Sequence, residues 1–223
     1  MKLHSSFFKI VIFCVVFAFF VLPPLFIKSA INFEEWTFPF TQTVLFALAL
    51  FLLYVCRLTT GDALEGGPRS KYFIFYNVIF PATFCFCILF SISLLTNGLA
   101  MICKMPSPEF KLLLPANALQ WLFCLLNLFF AAFYEEVLYR FYLPETSRFF
   151  AKKLQKKLIF LLIEAIFALI FAFSHYYAGI FAVFNALFAH IVLRCFYKKT
   201  GSLAAGISAH FVYNLVQLFL IQL

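Results

Sequence analysis

Charged residues are scarce in this chain. They make up 12% of its 223 residues, whereas hydrophobic residues make up 65% and the mean hydropathy is +1.01. A soluble domain carries about 25% charged and about 45–50% apolar residues. The shortage of charge therefore excludes a soluble domain and predicts an all-α, polytopic transmembrane helical bundle that contacts membrane lipid.

Several catalytic signatures are also absent. The chain has no His-Glu-x-x-His sequence, which excludes that zinc-protease motif. Its one aspartate, Asp62, lies in a predicted loop, so an aspartyl dyad is excluded. No Gly-x-Ser-x-Gly is present, so a serine nucleophile of that kind has no support.

Long apolar runs, by contrast, recur along the whole chain. A membrane-spanning helix needs about 20 predominantly apolar residues. We predict about seven spans, the fourth of them stopped by Pro144. Their bounds are Phe7–Ile27, Phe40–Cys56, Phe73–Leu95, Ala116–Leu143, Leu158–His175, Gly179–Phe196 and Ser202–Ile221.

The positive charge is concentrated between these spans. With the N-terminus inside, 13 of the 17 lysines and arginines fall in cytoplasmic segments and three on the other side, while Arg140 lies within a span. Cytoplasmic loops of membrane proteins carry such an excess. This distribution thus predicts an N-in, C-out topology, and we interpret the net charge of +8 as a consequence of topology and not as a sign of a nucleic-acid partner. We expect a multi-pass protein of the cell membrane, with N-terminal helices in 1–115 and a functional core in 116–223.

Three ionisable side chains lie close together in the fourth span. Each costs roughly 2.5–3.5 kcal/mol at the bilayer centre on insertion scales. Glu136 and Arg140 are four residues apart, so on a helix they share a face and can pair. Glu135 points about 100° away and has no local partner. The span therefore offers one neutralised carboxylate and one spare carboxylate.

Histidines and an asparagine occupy later spans at helical spacing. His210 and Asn214 share one face of the seventh span, and Gly206 lies one turn before them. His175 shares a face with Phe171 in the fifth span, and Glu164 lies on nearly the same face. We interpret Glu164, together with His190 on the sixth span, as structural, whereas Asn185 could line a cavity.

These residue types fit the addition of water to a carbonyl group. A carboxylate beside a neutral imidazole can hold and deprotonate a water molecule. A second imidazole and a carboxamide can donate hydrogen bonds to a developing oxyanion. The polar residues of the spans therefore predict a hydrolase.

Three motifs occur in order along the second half of the chain: Glu-Glu-x-x-x-Arg at 135–140, Phe-x-x-x-His at 171–175 and His-x-x-x-Asn at 210–214. Thr-Gly-Ser-Leu at 200–203 precedes the third motif. This pattern resembles the CPBP family of intramembrane endopeptidases, also called the Abi or CAAX-protease-like family, which is related to the eukaryotic Ras-converting enzyme. The resemblance covers about Ala116–Leu223.

The resemblance implies a role for each motif residue. Glu135 with His175 would activate water, His210 with Asn214 would form the oxyanion hole, and Glu136 with Arg140 would hold the site together. The substrate would be a peptide or a membrane protein. The family's mechanism implies no cofactor. Zinc is the alternative, with Glu135, His175 and His210 as ligands, although Asn214 is a poor zinc ligand.

Two other functions remain open from the sequence. The fold could serve as a non-catalytic membrane scaffold, immunity or regulatory protein. Buried Glu and His could also relay protons in a small proton-coupled transporter. Transporters often show repeated halves with broken helices at corresponding positions, and no such repeat is visible here.

Overall fold

The computed structural model describes residues 2–26, 36–60, 74–104, 114–151 and 157–220. Within these ranges the chain forms helices and no strand, so the all-α prediction is confirmed. The α-helices are α1 (Lys2–Val16), α2 (Phe40–Thr60), α3 (Phe80–Ile102), α4 (Ala118–Glu135), α5 (Leu143–Ala151), α6 (Lys157–Phe173), α7 (Ile180–Thr200) and α8 (Leu203–Leu220).

Among the described residues, five helices are long and apolar enough to cross a membrane: Phe7–Phe26, Phe75–Ile102, Ala118–Ala151, Ile180–Thr200 and Leu203–Leu220. The other two predicted spans correspond to shorter apolar helices, Phe40–Cys56 and Leu158–Phe173. Large apolar side chains are exposed on the outer surface of the bundle, as expected where lipid covers it. The N-in, C-out orientation stays a prediction, since several of its loop lysines and arginines, such as Arg69 and Lys153, lie outside the described residues.

The prediction that Pro144 stops the fourth span is wrong. A π-helical segment, Glu136–Tyr142, joins α4 directly to α5, and one continuous helix runs from Ala118 to Ala151. Proline breaks an α-helix because it lacks the N–H that bonds four residues back. Here the hydrogen-bonding register already changes beside the proline, so the helix continues through it.

Local sequence sets the ends of the helices that carry the motifs. The Asn117 side chain accepts a bond from the Gln120 N–H, and the Gln120 side chain accepts one from the Ala116 N–H, at 3.0 and 2.7 Å. This reciprocal arrangement starts α4 in the manner of a capping box. Gly201 ends α7 in the left-handed conformation, with φ of 65°, and Ser202 caps the first turn of α8. The Thr-Gly-Ser-Leu sequence therefore makes the tight turn between α7 and α8.

Two apolar cores flank the π-helical segment. One joins this segment to the N-terminal helices and α6, through Val137, Leu138 and Phe167. The other joins α3, α7 and α8, where Ala189 and Ala209 are buried. Small residues let membrane helices approach closely. The side chains of the three sequence motifs come from α4, the π-helical segment, the end of α6, and α8. The boundary between 115 and 116 stays a prediction.

Candidate active site

Glu136 is the best-connected carboxylate of the first motif. Its side chain is 1% exposed, and its Oε1 lies 3.4 Å from Arg140 Nε and 2.8 Å from His210 Nδ1. A carboxylate accepts hydrogen bonds, so the short contact requires Nδ1–H of His210 to donate. Glu136 thus links the π-helical segment to α8 and fixes the orientation of the His210 ring, while it neutralises Arg140.

Glu135 has a different environment from its neighbour. Its side chain is 24% exposed, and its Oε2 has no hydrogen-bond partner among the described residues. The nearest cationic or imidazole group to this oxygen is His210 Nε2, at 3.7 Å. That distance is too long for a hydrogen bond. The side chain is thus partly exposed, while its unpartnered oxygen Oε2 is buried and keeps free acceptor capacity, as expected for the spare carboxylate of the motif.

His175 lies just beyond the end of α6, outside the apolar span Leu158–Phe173. Its ring folds back, so that Nδ1 donates to the Phe171 carbonyl at 2.8 Å. Nε2 is then the unprotonated nitrogen of the neutral ring. Desolvation lowers the pKa of this imidazole, and the nearby Glu135 carboxylate opposes the shift. His175 is therefore neutral and presents an unprotonated Nε2 in the electrostatic field of Glu135.

The aromatic ring of Phe171 connects the first and second motifs. Arg140 Cζ lies 4.1 Å from the centre of this ring, and the His175 ring is centred 4.8 Å away. His190 and Tyr139 pack on the same ring, at 5.4 and 5.0 Å. Cation–π contact stabilises a buried guanidinium. Sequence reasoning used Phe171 only to define a helix face and missed this role.

Asn214 lies one helical turn beyond His210 on α8. It is partly exposed, and its amide makes no hydrogen bond to the described part of the chain. One turn before His210, Gly206 packs against Glu136: a Cβ there would lie 3.0 Å from Glu136 Oε2. Glycine is therefore required for the approach of α8 to the buried carboxylate, while Asn214 keeps its donors free.

The remaining polar residues of the spans lie in separate contacts. Glu164 accepts hydrogen bonds from Arg148 and Arg194, at 2.7 to 2.8 Å. Asn185 donates to the Tyr213 hydroxyl at 2.6 Å. Glu164 is thus held by arginines of the bundle, and the Asn185 amide is held against α8.

The zinc alternative finds little support in this geometry. No group of three or more His, Cys, Asp or Glu side chains is placed to hold a metal ion within the described ranges. Glu135, His175 and His210 lie near one another without forming such a cluster. The choice between a metal-free site and the zinc alternative stays a prediction.

The fold and this cluster define an all-α membrane protein. Its bundle encloses the Glu135 carboxylate, two histidines and a buried ion pair formed within one helical segment. The family model described as Rce1-like, type II CAAX prenyl endopeptidase Rce1-like, matches residues 117–216. This match agrees with the resemblance predicted from the three motifs, which is thereby confirmed. No curated protein and no solved structure matches the chain. The family supports a membrane-embedded protease, hence a hydrolase, in general terms.

A methyl group at Gly206 should disturb the site. We expect Gly206→Ala to lower the free energy of unfolding by about 1–3 kcal/mol, the usual cost of overpacking, because the added Cβ displaces the Glu136 carboxylate, whose other oxygen contacts Arg140 and His210. Thermal unfolding of the purified protein in detergent measures this change.

Gly98→Ala is the matched control, since a Cβ at Gly98 in α3 meets nothing within 4 Å. This change should stabilise by about 0.5–1 kcal/mol, because glycine is the poorer residue within a helix. Equal effects of the two substitutions would contradict the close approach of α8 to Glu136.

Proposed function

We propose that this protein is an intramembrane endopeptidase in which Glu135 and His175 activate a water molecule for attack on a peptide carbonyl. The observation that carries the proposal is the contrast between two adjacent carboxylates. Glu136 is buried and doubly paired, whereas Glu135 is partly exposed and has a buried oxygen, Oε2, without a hydrogen-bond partner among the described residues. A carboxylate kept free beside two histidines suits a general base.

Activation of water needs two acceptors in this scheme. His175 Nε2 accepts a hydrogen bond from the water. It is free to do so because the ring's proton is on Nδ1, which donates to the Phe171 carbonyl. The Glu135 carboxylate takes the other hydrogen as a proton when the water oxygen bonds to the carbonyl carbon. Glu135 then delivers this proton to the leaving amine as the peptide bond breaks.

The carbonyl oxygen becomes an oxyanion during this attack. Asn214 would donate from its amide N–H groups. His210, one turn before it on α8, would donate from Nε2 in its doubly protonated form, since Nδ1–H already bonds Glu136. Such positioned donors are worth about 10²–10³ in kcat each. Glu136 supports them indirectly, since its bond to His210 Nδ1 fixes the imidazole ring.

The proposed substrate is a peptide segment of a membrane-associated protein. The description of the matched family names CAAX prenyl endopeptidases. A farnesylated peptide with a Cys-a-a-X tail and a quenched fluorophore is therefore the first probe, with the unprenylated peptide beside it. Faster cleavage of the farnesylated form would extend the family's substrate class to this protein.

A comparison of cell membranes tests the proposal for whatever substrate the cell contains. Membranes from cells with the wild-type protein are compared with membranes from cells with Glu135→Ala at equal abundance, and peptide termini are identified by mass spectrometry. A protein that accumulates uncut only with the variant supports the peptidase and identifies its substrate. No difference, with both proteins inserted, contradicts the proposal and favours a non-catalytic scaffold, and a transport assay then tests the carrier alternative.

We expect cleavage to need no metal ion. Glu135 and His175 supply the base directly, and the described residues do not form a three-ligand cluster. Cleavage of the farnesylated peptide should stay unchanged after dialysis against EDTA or 1,10-phenanthroline. Loss of activity that added zinc restores would contradict this expectation.

A further inference from the structure

Arg194 on α7 is a buried arginine outside the three motifs. It is 3% exposed, and its guanidinium donates to three partners on three elements. Nε and Nη2 bond the two oxygens of Glu164 on α6, at 2.8 and 2.7 Å, and Nη2 also lies 3.1 Å from Glu145 on α5. Nη1 donates to the backbone carbonyl of Arg140 in the π-helical segment.

The contact with Glu164 fixes the plane of the guanidinium. Two parallel bonds to one carboxylate form a fork, which holds the group in one orientation. Nη1 is then directed at the Arg140 carbonyl without rotational freedom. Lysine cannot reproduce this geometry, because it carries a single ammonium group.

The sequence that follows Arg140 removes one donor that its backbone carbonyl could otherwise use. In a regular α-helix this carbonyl would accept the N–H of the fourth residue onward. That residue is Pro144, which has no N–H. A buried carbonyl without a partner costs about 1–3 kcal/mol. Arg194 therefore gives this carbonyl a hydrogen bond from another helix, where Pro144 can give none.

Arg140, whose carbonyl Arg194 contacts, also pairs through its side chain with Glu136 of the proposed site. The Arg140 side chain lies against Glu136 and the Phe171 ring, and Glu136 orients His210. We propose that Arg194 is a positioning residue, which holds the π-helical segment through the Arg140 carbonyl and so sets the placement of Glu135 and Glu136. This inference rests on the proposed peptidase function and adds a fourth helix, α7, to its machinery.

The test compares Arg194→Gln with Arg148→Gln in the purified protein, with cleavage of the farnesylated peptide as the readout. Both arginines bond Glu164, but only Arg194 reaches the Arg140 carbonyl. We expect Arg194→Gln to lower kcat by about 10–100-fold, as displacements of about 1 Å in a site do. KM should change by less than about threefold, because Arg194 is not expected to touch the substrate.

Arg148→Gln should keep kcat within about threefold of wild type, since the carbonyl contact survives in it. Arg194→Lys should preserve a charge opposite Glu164 and the unfolding temperature, yet still lower kcat. Equal kcat losses in Arg148→Gln and Arg194→Gln would overturn the inference. So would full activity of Arg194→Lys, since a charge alone would then suffice.

A second comparison uses Pro144→Ala, which places an N–H within reach of the same carbonyl. Arg194→Gln should cost less in this background than in wild type, because the two changes act on one acceptor. The same fold-loss in both backgrounds would overturn the carbonyl contact as the cause. Failure of the proposed function is distinct from these outcomes: the wild type would not cleave any probe, or cleavage would survive Glu135→Gln.

Discussion

Replacing Glu135 by glutamine is expected to lower kcat by about 10³-fold, within the 10²–10⁴ range of general-base catalysis. The amide has nearly the same shape as the carboxylate but cannot accept the proton of the attacking water. Glu135 has no ion-pair partner within 3.5 Å among the described residues, so the substitution removes little that stabilises the fold. The purified variant should therefore unfold at the wild-type temperature while it fails to cleave.

Glu135→Asp provides the graded comparison for this prediction. Aspartate keeps the base but withdraws it by one methylene group, so its activity should lie between those of wild type and Glu135→Gln. Both variants are assayed on the farnesylated peptide, or on the substrate found in cells, in the same lipid. Full activity of Glu135→Gln would show that another group is the base.

Loss of Glu136 is expected to have the largest effect on stability. Arg140 is fully buried at 0% exposure, and Glu136 is the carboxylate with which it pairs. Removal of one partner leaves a buried charge uncompensated, which costs about 3–5 kcal/mol. Glu136→Ala should therefore lower the unfolding temperature and abolish cleavage together, because His210 also loses the acceptor of its Nδ1–H.

A double variant separates the two effects of Glu136. Glu136→Leu with Arg140→Met replaces the pair by apolar side chains, and such replacements of buried pairs are often neutral or stabilising. We expect the double variant to recover most of the unfolding temperature without recovering cleavage, since His210 stays unoriented. If Glu136→Ala were as stable as wild type in detergent, the ion pair would not be a structural element of this bundle.

Local spacing accounts for the parts of the fold and site that could be predicted. Residues four apart share a helix face, and this rule paired Glu136 with Arg140 and placed Asn214 beside His210 on α8. Apolar run length predicted the helices, since each span needs about 20 such residues. Spacing also left Glu135 without a local partner, which agrees with its free oxygen.

Contacts between helices account for what the sequence did not reveal. Pro144 reads as a helix stop, yet the helix continues through it beside a π-helical segment. The Arg140 carbonyl of that segment accepts a hydrogen bond from Arg194, 54 residues further along the chain. Phe171 reads as one more apolar residue, although Arg140 and two histidines pack on its ring. Two features of the sequence could together have indicated the Arg194 contact. Pro144 cannot donate to the carbonyl four residues before it, and Arg194 lies near the end of a predicted apolar span.

The spacing of the contacts made by Glu136 also bears on how the chain enters the bilayer during synthesis. Its arginine partner is four residues away on the same helix, whereas His210 is 74 residues further along the chain. Because Arg140 neutralises Glu136 within the same helix, this helix can leave the translocon at a lower energetic cost before α8 has been made. The proposed site would thus become competent only when α8 arrives, and a chain that lacks α8 would be inserted but inactive.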